Sequence, residues 1–515
     1  MLRKITPVII SSILLILSFP NFNFEFLAWV AFIPLFFAID TKTPRECFYL
    51  SCITGAIFFL GTIYWLIHVT LPGMVVVMLY LALYFGLFGL ISSYGLSGIR
   101  KFFPSHERYI SLFFIPAAWV ATELMRSHMF GGFGWNLLGY SQSYSLPVIQ
   151  IADIAGIYGV SFMIFLVNTA IFFTIKDIRD KKITFTYLAI ALFIVFISLG
   201  YGAFRVKNIF TGEQLRIALI QGNIPQTKKW DANFREEILN KYESITRTAA
   251  SEKIDLVIWP ETSVPGFIGS ERGLTDRMMS LSKSIKTPIL VGAPTEDGEA
   301  YYNSAVLLSE DGRILDIYNK MHLVPFGEYV PFKKVLSFVE RLAPSPIGDF
   351  SFGTKPTVFK FFIERSFKDK GTTWKLVKKI KFSCMICFED IFPDIARRFV
   401  KEDALFLVNI TNDAWFMRSS APYQHVQSSI FRAVENRVNV VRAANTGVSC
   451  FIDQKGAITG AIGSEKGSIF IDGFKIHDIV LNNTRTFYTT FGDIFAYICA
   501  LFVLIVILRT RWKNT

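Results

Sequence analysis

The stretch KIKFSCMICFEDIFPD, Lys379 to Asp394, runs a strand into a cysteine and then into a helix start. Lys379 to Ile386 alternates polar and apolar residues, the pattern of a half-buried strand. Cys387 stands at its end, followed by Phe388, Glu389 and Asp390, with Pro393 where a helix can begin. A thiol at such an elbow is exposed and near the positive end of a helix, which suits a nucleophile. Two plainer readings stand beside it. A lone cysteine is usually a small buried hydrophobe, and Cys384-x-x-Cys387 has the spacing of a redox pair or half a zinc site. The stretch alone leaves all of them open.

Composition sets the class around it. With 515 residues the chain is longer than one domain. It is 52% hydrophobic and 16% aromatic, holds 52 Phe and has a mean hydropathy of +0.41, which points to membrane spans plus a soluble part. A net charge of +12 would suit nucleic acid or an anionic membrane surface. Much of that excess sits in short loops between apolar runs, so it reports topology, and no nucleic-acid partner is expected. The six cysteines, at 47, 52, 384, 387, 450 and 499, are scattered. They make no disulfide framework, and no Cys and His pair has metal-ligand spacing.

Residues 7–19 follow Leu2-Arg3-Lys4 and mimic a signal peptide. Pro20-Asn21-Phe22 stands where a small-residue cleavage site would be, so an uncleaved first span is expected. Further apolar runs cover about 26–39, 47–69, 73–98, 110–129, 156–175, 184–204 and 491–508. Several approach the ~20 residues a bilayer crossing needs, and the first two are short enough for a tight hairpin. That makes eight candidate helices, seven before a long polar block and one after it. With the N-terminus in the cytoplasm, 14 Lys and Arg, from Arg3 and Lys4 to Arg509, Arg511 and Lys513, fall inside. The short outer loops then hold Arg126 alone, a strong positive-inside signal that sends residues 205–490 to the outer side.

Glu123 and Asn168 are polar groups at apolar depth, where such groups often mark function. Glu123 and Arg126 lie three apart and suit a structural pair at the outer boundary. Loop 131–145, GGFGWNLLGYSQSYS, is expected to present Trp135 and Tyr140 to headgroups.

The outer block alternates strands and helices. Leu215–Gln221, Ile254–Trp259, Pro288–Gly292, Asn303–Leu308, Ile314–Tyr318, Ala404–Ile410, Val448–Asp453 and Ala457–Gly460 read as strands. Asp311-Gly312 and Gln454-Lys455-Gly456 mark hairpins. Asp231 is expected to cap a helix running to about Lys253, and Pro422–Val441 reads as helical. Segment 361–379 is charged and irregular, most simply an inserted hairpin or loop.

Three reactive residues emerge where strands end: Glu261 in WPETSVPG, Lys320 in YNKMHLVPFGEYVP and Cys387 in CFEDIFPD. Singly, a Glu or Lys at a strand end is usually a solvated surface group. Together they make chemical sense. A thiol needs a neighbouring base, which Glu261 can supply, and acyl transfer builds an oxyanion that the Lys320 ammonium can stabilise.

Glu in a WPE strand end, then Lys, then Cys before FED, resembles the nitrilase superfamily. NIPQTKKWD, VIWPETSVPGF, NKMHLVPFGEYVPF, NITNDAWF and RTFYTTFGD narrow the resemblance to its membrane-embedded branch, the apolipoprotein N-acyltransferases of the bacterial inner membrane. The resemblance covers essentially the whole chain. It implies eight transmembrane helices carrying an αββα four-layer, nitrilase-like periplasmic domain. The corresponding divisions are 1–204 for seven helices, 205–485 for the catalytic domain and 486–515 for the last helix and cytoplasmic tail. It implies acyl transfer from a phospholipid to the α-amino group of an S-diacylglyceryl cysteine on a lipoprotein, with no cofactor and no metal.

By matching motif, Glu261 is the expected base, Lys320 the oxyanion stabiliser and Cys387 the nucleophile, with Glu328 and Glu389 as supporting acids. Trp230, Phe388 and Trp415 are the expected substrate-binding residues. Phe388 departs from that family, which often has Tyr there. The run Leu323–Gly353, with Phe326, Tyr329, Phe332, Leu336 and Phe338, suits either a lid that dips into lipid or a packed helix and loop. Segment 361–379 is longer and more basic than expected, and its cations suit anionic headgroups at about 1 kcal/mol each. The competing readings are a membrane-tethered amidase for a small soluble amide, which leaves the seven leading spans without a purpose, and a transporter or receptor with a dead binding domain.

Overall fold

Runs of strand length and amphipathic helices alternate through residues 214–480, and they pair into two six-stranded sheets. The computed structural model describes residues 2–182, 184–208, 210–329, 349–369 and 372–512. The chain divides into two compact units. One is Met1–Asn208 with Tyr423–Gln427 and Thr486–Thr515; the other is Ile209–Pro422 with Ser428–Arg485.

In the second unit the strands are β1 (Gln214–Gln221), β2 (Leu256–Ile258), β3 (Ile289–Asp297), β4 (Ala300–Leu308), β5 (Ile314–Asn319) and β6 (Phe359–Asp369). They continue with β7 (Thr372–Ile386), β8 (Phe406–Thr411), β9 (Asn439–Ala444), β10 (Cys450–Ile452), β11 (Ile458–Ala461) and β12 (Gly473–Val480). The sheets run β12-β1-β2-β3-β4-β5 and β11-β10-β9-β8-β7-β6. Each has a parallel centre, β1-β2-β3 in one and β7-β8-β9 in the other, with antiparallel strands outside. Parallel neighbours need crossovers, and helices supply them: Arg235–Ala249 and Arg272–Ile285 in the first sheet, Pro393–Lys401 and Ala421–Asn436 in the second.

The sheets face each other through β1 against β9 and β4 against β7. On the first sheet, Ile238, Leu239, Tyr242, Met278 and Leu281 of the two helices pack on Val257, Val291 and Val306. Tyr242 stacks on Trp259 with ring centroids 4.9 Å apart. Pro393–Lys401 lies on β7 and β8. The result is an α/β domain of two facing six-stranded sheets with helices packed on them.

Several boundaries differ from the sequence reading. Asp231 caps only the turn Ala232–Phe234, and the following helix stops at Ala249, short of Lys253. Pro422–Val441 is not one helix. Arg437 takes a left-handed φ of 54° and ends the helix at Asn436, and the next residues form β9. Segment 361–379 is an antiparallel hairpin of β6 and β7. Arg365 anchors it to Asp255 at 2.7 Å and to Glu213 at 3.0 Å, and Lys378 also reaches Glu213. At about 3.3 Å per residue, the 15 residues of β7 put its far end roughly 50 Å from Cys387 along the strand. Phe332, Leu336 and Phe338 of the lid reading lie outside the described residues.

In the first unit, three helices are long and apolar enough to cross a bilayer among the described residues: Leu71–Phe102, Ala152–Arg179 and Thr186–Lys207. Ile5–Leu17, Glu25–Ile39 and Ile494–Arg509 are shorter apolar helices. Loop 131–145 corrects the headgroup expectation: Trp135 is 4% exposed and Tyr140 1%. Trp135 packs on Trp65 with centroids 5.2 Å apart. The polar groups of Glu107–His128 hold this loop from within. Glu123 Oε1 accepts from the Leu138 N–H at 2.7 Å, while Arg126 donates to the carbonyls of Trp135 and Asn136 at 2.8 and 3.3 Å. Asn168 likewise serves backbone, accepting from Phe32 N–H and donating to Ala28 O, both at 2.9 Å. Unsatisfied backbone is costly at apolar depth, and these side chains satisfy it.

Candidate active site

In the second unit, side chains gather where strands end. β7 stops at Ile386, and Cys387 turns the chain with a φ of 53° into the short helical turn Cys387–Ile391. A left-handed non-glycine costs about 1–3 kcal/mol and persists only where its surroundings fix it. Here they do. Glu389 Oε2 accepts from Ile386 N–H at 2.7 Å, and Asn409 Nδ2 donates to Cys387 O at 3.0 Å. The elbow leaves Cys387 partly exposed, while Cys384, inside the strand, is fully buried.

Glu261 follows β2 and Lys320 follows β5; both are buried. Lys320 Nζ lies 2.8 Å from Glu328 Oε1 and 3.6 Å from Glu261 Oε1. Asn303, on β4, donates through Nδ2 to both of those carboxylate oxygens at 2.8 Å. Glu328 Oε2 accepts from Val324 N–H at 2.8 Å, which fixes the loop after β5. A single cation thus lies between two carboxylates with an amide tying them together.

The electrostatics favour a guarded thiol. Burial and then the Glu261 carboxylate push the Cys387 thiol well above the ordinary range, while Lys320 and a hydrogen bond to Thr411 pull it down. Burial alone would lower Lys320, but Glu328, Glu261 and Cys387 outweigh it and hold the ammonium charged. Burial pushes Glu389 up to about 7, against four donors that favour its anion. Its Oε1 accepts from Tyr318 Oη, Met321 N–H and His322 N–H at 2.8, 2.7 and 3.0 Å, so it joins the first sheet to the elbow.

The structure brings Glu261, Lys320 and Glu328 together and puts Cys387 under the influence of the first two. Glu389 is placed as a strut behind the thiol. Trp230 and Trp415 are 53% and 41% exposed, and their turns are joined by Asn412 Nδ2 donating to Gln226 Oε1 at 2.8 Å. Phe388 packs on Phe392, with centroids 5.1 Å apart, and on His322 at 6.0 Å. Sequence reasoning missed Asn303, which only the register of β4 on β5 sets beside Lys320. It also missed Arg442, whose guanidinium lies 3.1 Å from both Asp390 and Asp413. Neither residue has a local pattern that would single it out.

Two family models match, "Apolipoprotein N-acyltransferase N-terminal domain" over residues 11–170 and "Carbon-nitrogen hydrolase" over residues 216–483. A protein of Geobacter metallireducens named apolipoprotein N-acyltransferase is 39% identical over 96% of this chain and 93% of its own. One of the same name from Chlorobaculum tepidum is 29% identical over 95% and 93%. The crystal structure of Saccharomyces cerevisiae Nit3, a member of branch 10 of the nitrilase superfamily, aligns with 19% identity and a TM-score of 0.39 over 53% of this chain and 92% of that one. The N-terminal match has no place in a tethered amidase. With both halves matched and a close relative aligned along nearly its full length, the chain belongs to the apolipoprotein N-acyltransferase family.

Proposed function

We propose that Cys387, Glu261 and Lys320 carry the acyl transfer of this family in two half-reactions. Glu261 takes the Cys387 proton, and the thiolate attacks the ester carbonyl of a phospholipid. Lys320 stabilises the oxyanion that forms. The carbon–oxygen bond breaks, Glu261 returns the proton to the leaving alkoxide, and lysophospholipid departs, leaving a thioester. The α-amino group of a diacylglyceryl-modified lipoprotein then attacks the thioester. Glu261 takes the amine proton, the carbon–sulfur bond breaks and the thiol is restored. Glu328 and Glu389 support the site by holding Lys320 and the elbow. Trp230, Trp415 and Phe388 receive the lipid chains.

The observation that supports this most is the Glu261–Lys320–Glu328 cluster beside a left-handed Cys387 elbow. A surface ion pair would not need such strain. Full-length enzyme incubated with phospholipid and no lipoprotein should gain one acyl mass, labile to hydroxylamine, and release lysophospholipid. Active enzyme that never shows the mass would remove the covalent step.

In the same reading the chain is a multi-pass protein of the bacterial inner membrane with eight spans. Residues 1–204 and 486–515 hold them, and 205–485 is the periplasmic catalytic domain. The uneven distribution of basic residues supports this orientation. A reporter fused after Arg205 should behave as periplasmic and one after Lys182 as cytoplasmic; the reverse result refutes it.

A further inference from the structure

A buried amine lies outside the roles just given. Lys229 closes the short turn Gln226–Lys229, directly before the exposed Trp230, yet it is only 2% exposed. Its Nζ donates to the main-chain oxygen of Glu261 at 2.9 Å. That carbonyl leads into Thr262, whose φ of 44° is left-handed, a conformation β-branched residues rarely adopt. The backbone of β3 supports the same turn. A Cβ on Gly292 would meet Pro260 O at 2.4 Å and Glu261 Cα at 2.6 Å, and Val264 N–H donates to Gly292 O at 3.1 Å. The turn that carries Glu261 is therefore strained, seated on β3 and tied through its carbonyl to Lys229.

An ammonium has three N–H donors, and among the described residues one backbone oxygen accepts from this one. Burial pulls Lys229 down to about 7, with Glu261 and Cys387 acting in the opposite direction. Among the described residues, the charged and titratable groups acting on it are Glu261 and Cys387, with Lys320 and Asp413 acting on the same thiol. A neutral amine still donates one N–H to the Glu261 carbonyl, so the clamp persists when the charge is gone.

We propose that Lys229 is a positioning residue of the acyl-transfer site, clamping the strained turn that carries Glu261 and setting a second cation against Cys387. The inference rests on the reading of Glu261 and Cys387 above. Protonated, Lys229 adds to Lys320 in favouring the thiolate and the oxyanion. Neutral, it holds the shape of the site without that help. Its place beside Trp230 also links the turn of the base to a residue of the lipid approach.

The test is the rate of acyl-enzyme formation by intact mass, with full-length protein in detergent micelles of phosphatidylethanolamine and phosphatidylglycerol. Wild type, Lys229→Met and Lys229→Arg are compared from about pH 6 to about pH 8.5, a range that spans the titration. Lys229→Met should load on the order of 10–100-fold more slowly at the low end, and the ratio of wild type to variant should shrink roughly tenfold by the high end. A merely structural lysine would give a ratio that is flat with pH, because every other titrating group is common to both proteins. A flat ratio, or equal rates, overturns the proposal.

If Lys229→Met fails to fold, Lys229→Arg decides. It keeps a donor and a charge that does not titrate, so the wild-type-to-Arg ratio should also fall as pH rises, and a flat one overturns the role. Cys387→Ala is run alongside. A flat ratio with an inert Cys387→Ala removes Lys229 alone, whereas acyl mass on Cys387→Ala removes the site reading and this inference with it.

Discussion

Two buried cations in the second unit each stand between two carboxylates, and they are built for different ends. Arg442 reaches Asp390 and Asp413 at 3.1 Å each, with all three side chains at 0% exposure. It also donates to Asn409 Oδ1 at 2.6 Å, and Asn409 in turn holds the Cys387 carbonyl. Lys320 lies between Glu261 and Glu328, whose side chains keep 8% and 14% exposure. The balance of charge is alike. The planar fork of Arg442 fixes directions and makes framework, whereas the Lys320 ammonium is a point charge with three rotatable donors. In the proposed mechanism, the remaining access at its carboxylates is the route by which substrate reaches it. Buried charge is thus not itself a mark of catalysis; the kind of cation and what still reaches it separate chemistry from scaffold.

The strongest test of the contrast is the thiol both clusters serve. Cys387→Ala should abolish both half-reactions while the protein stays folded, read as no acyl mass and no lysophospholipid. Acyl mass on that variant would put the chemistry elsewhere. Next comes the framework cation. Arg442→Met removes the guanidinium that Asp390 and Asp413 share, a loss of about 3–5 kcal/mol. Denaturant unfolding of the detergent-solubilised protein measures it, and a loss below about 1 kcal/mol would erase the distinction drawn for Arg442.

Lys320→Met should act mainly on rate. Acyl loading is expected to fall on the order of 10²–10³-fold, as on losing an oxyanion donor. Its stability loss should be smaller than that of Arg442→Met, because Glu261 and Glu328 keep edges exposed to water whereas Asp390 and Asp413 are fully buried. Lys320→Arg should fail too, since a fork does not replace a point charge in a tight site. Near-normal loading by a folded Lys320→Met removes it from the mechanism. The smallest effect belongs to Cys384. It is fully buried within β7, so Cys384→Ala should cost roughly 1 kcal/mol of packing and still gain the acyl mass. A redox pair with Cys387 would not allow that result.

The linear chain determined the class of the molecule. Its apolar runs, the alternation of strands and helices in the polar block, and three reactive residues at strand ends are local patterns, set by side chains a few positions apart. The Asp311-Gly312 hairpin was legible for the same reason, with Gly312 at a φ of 80°. Where a boundary depends on a left-handed residue that is not glycine, as at Arg437, the sequence carries no stop signal. So Pro422–Val441 reads as one helix, and the left-handed strain at Cys387 is not visible in the sequence. Trp135 and Tyr140 show the same limit, since a Gly- and aromatic-rich outer loop reads as headgroup-facing until buried Glu123 and Arg126 draw its backbone inward. Asn303 beside Lys320, Arg442 between Asp390 and Asp413, and Lys229 on the Glu261 carbonyl are separated from their partners by 17 to 52 positions. Only register across the sheets and the meeting of strand ends bring such residues within hydrogen-bond reach, which is why tertiary structure decided them.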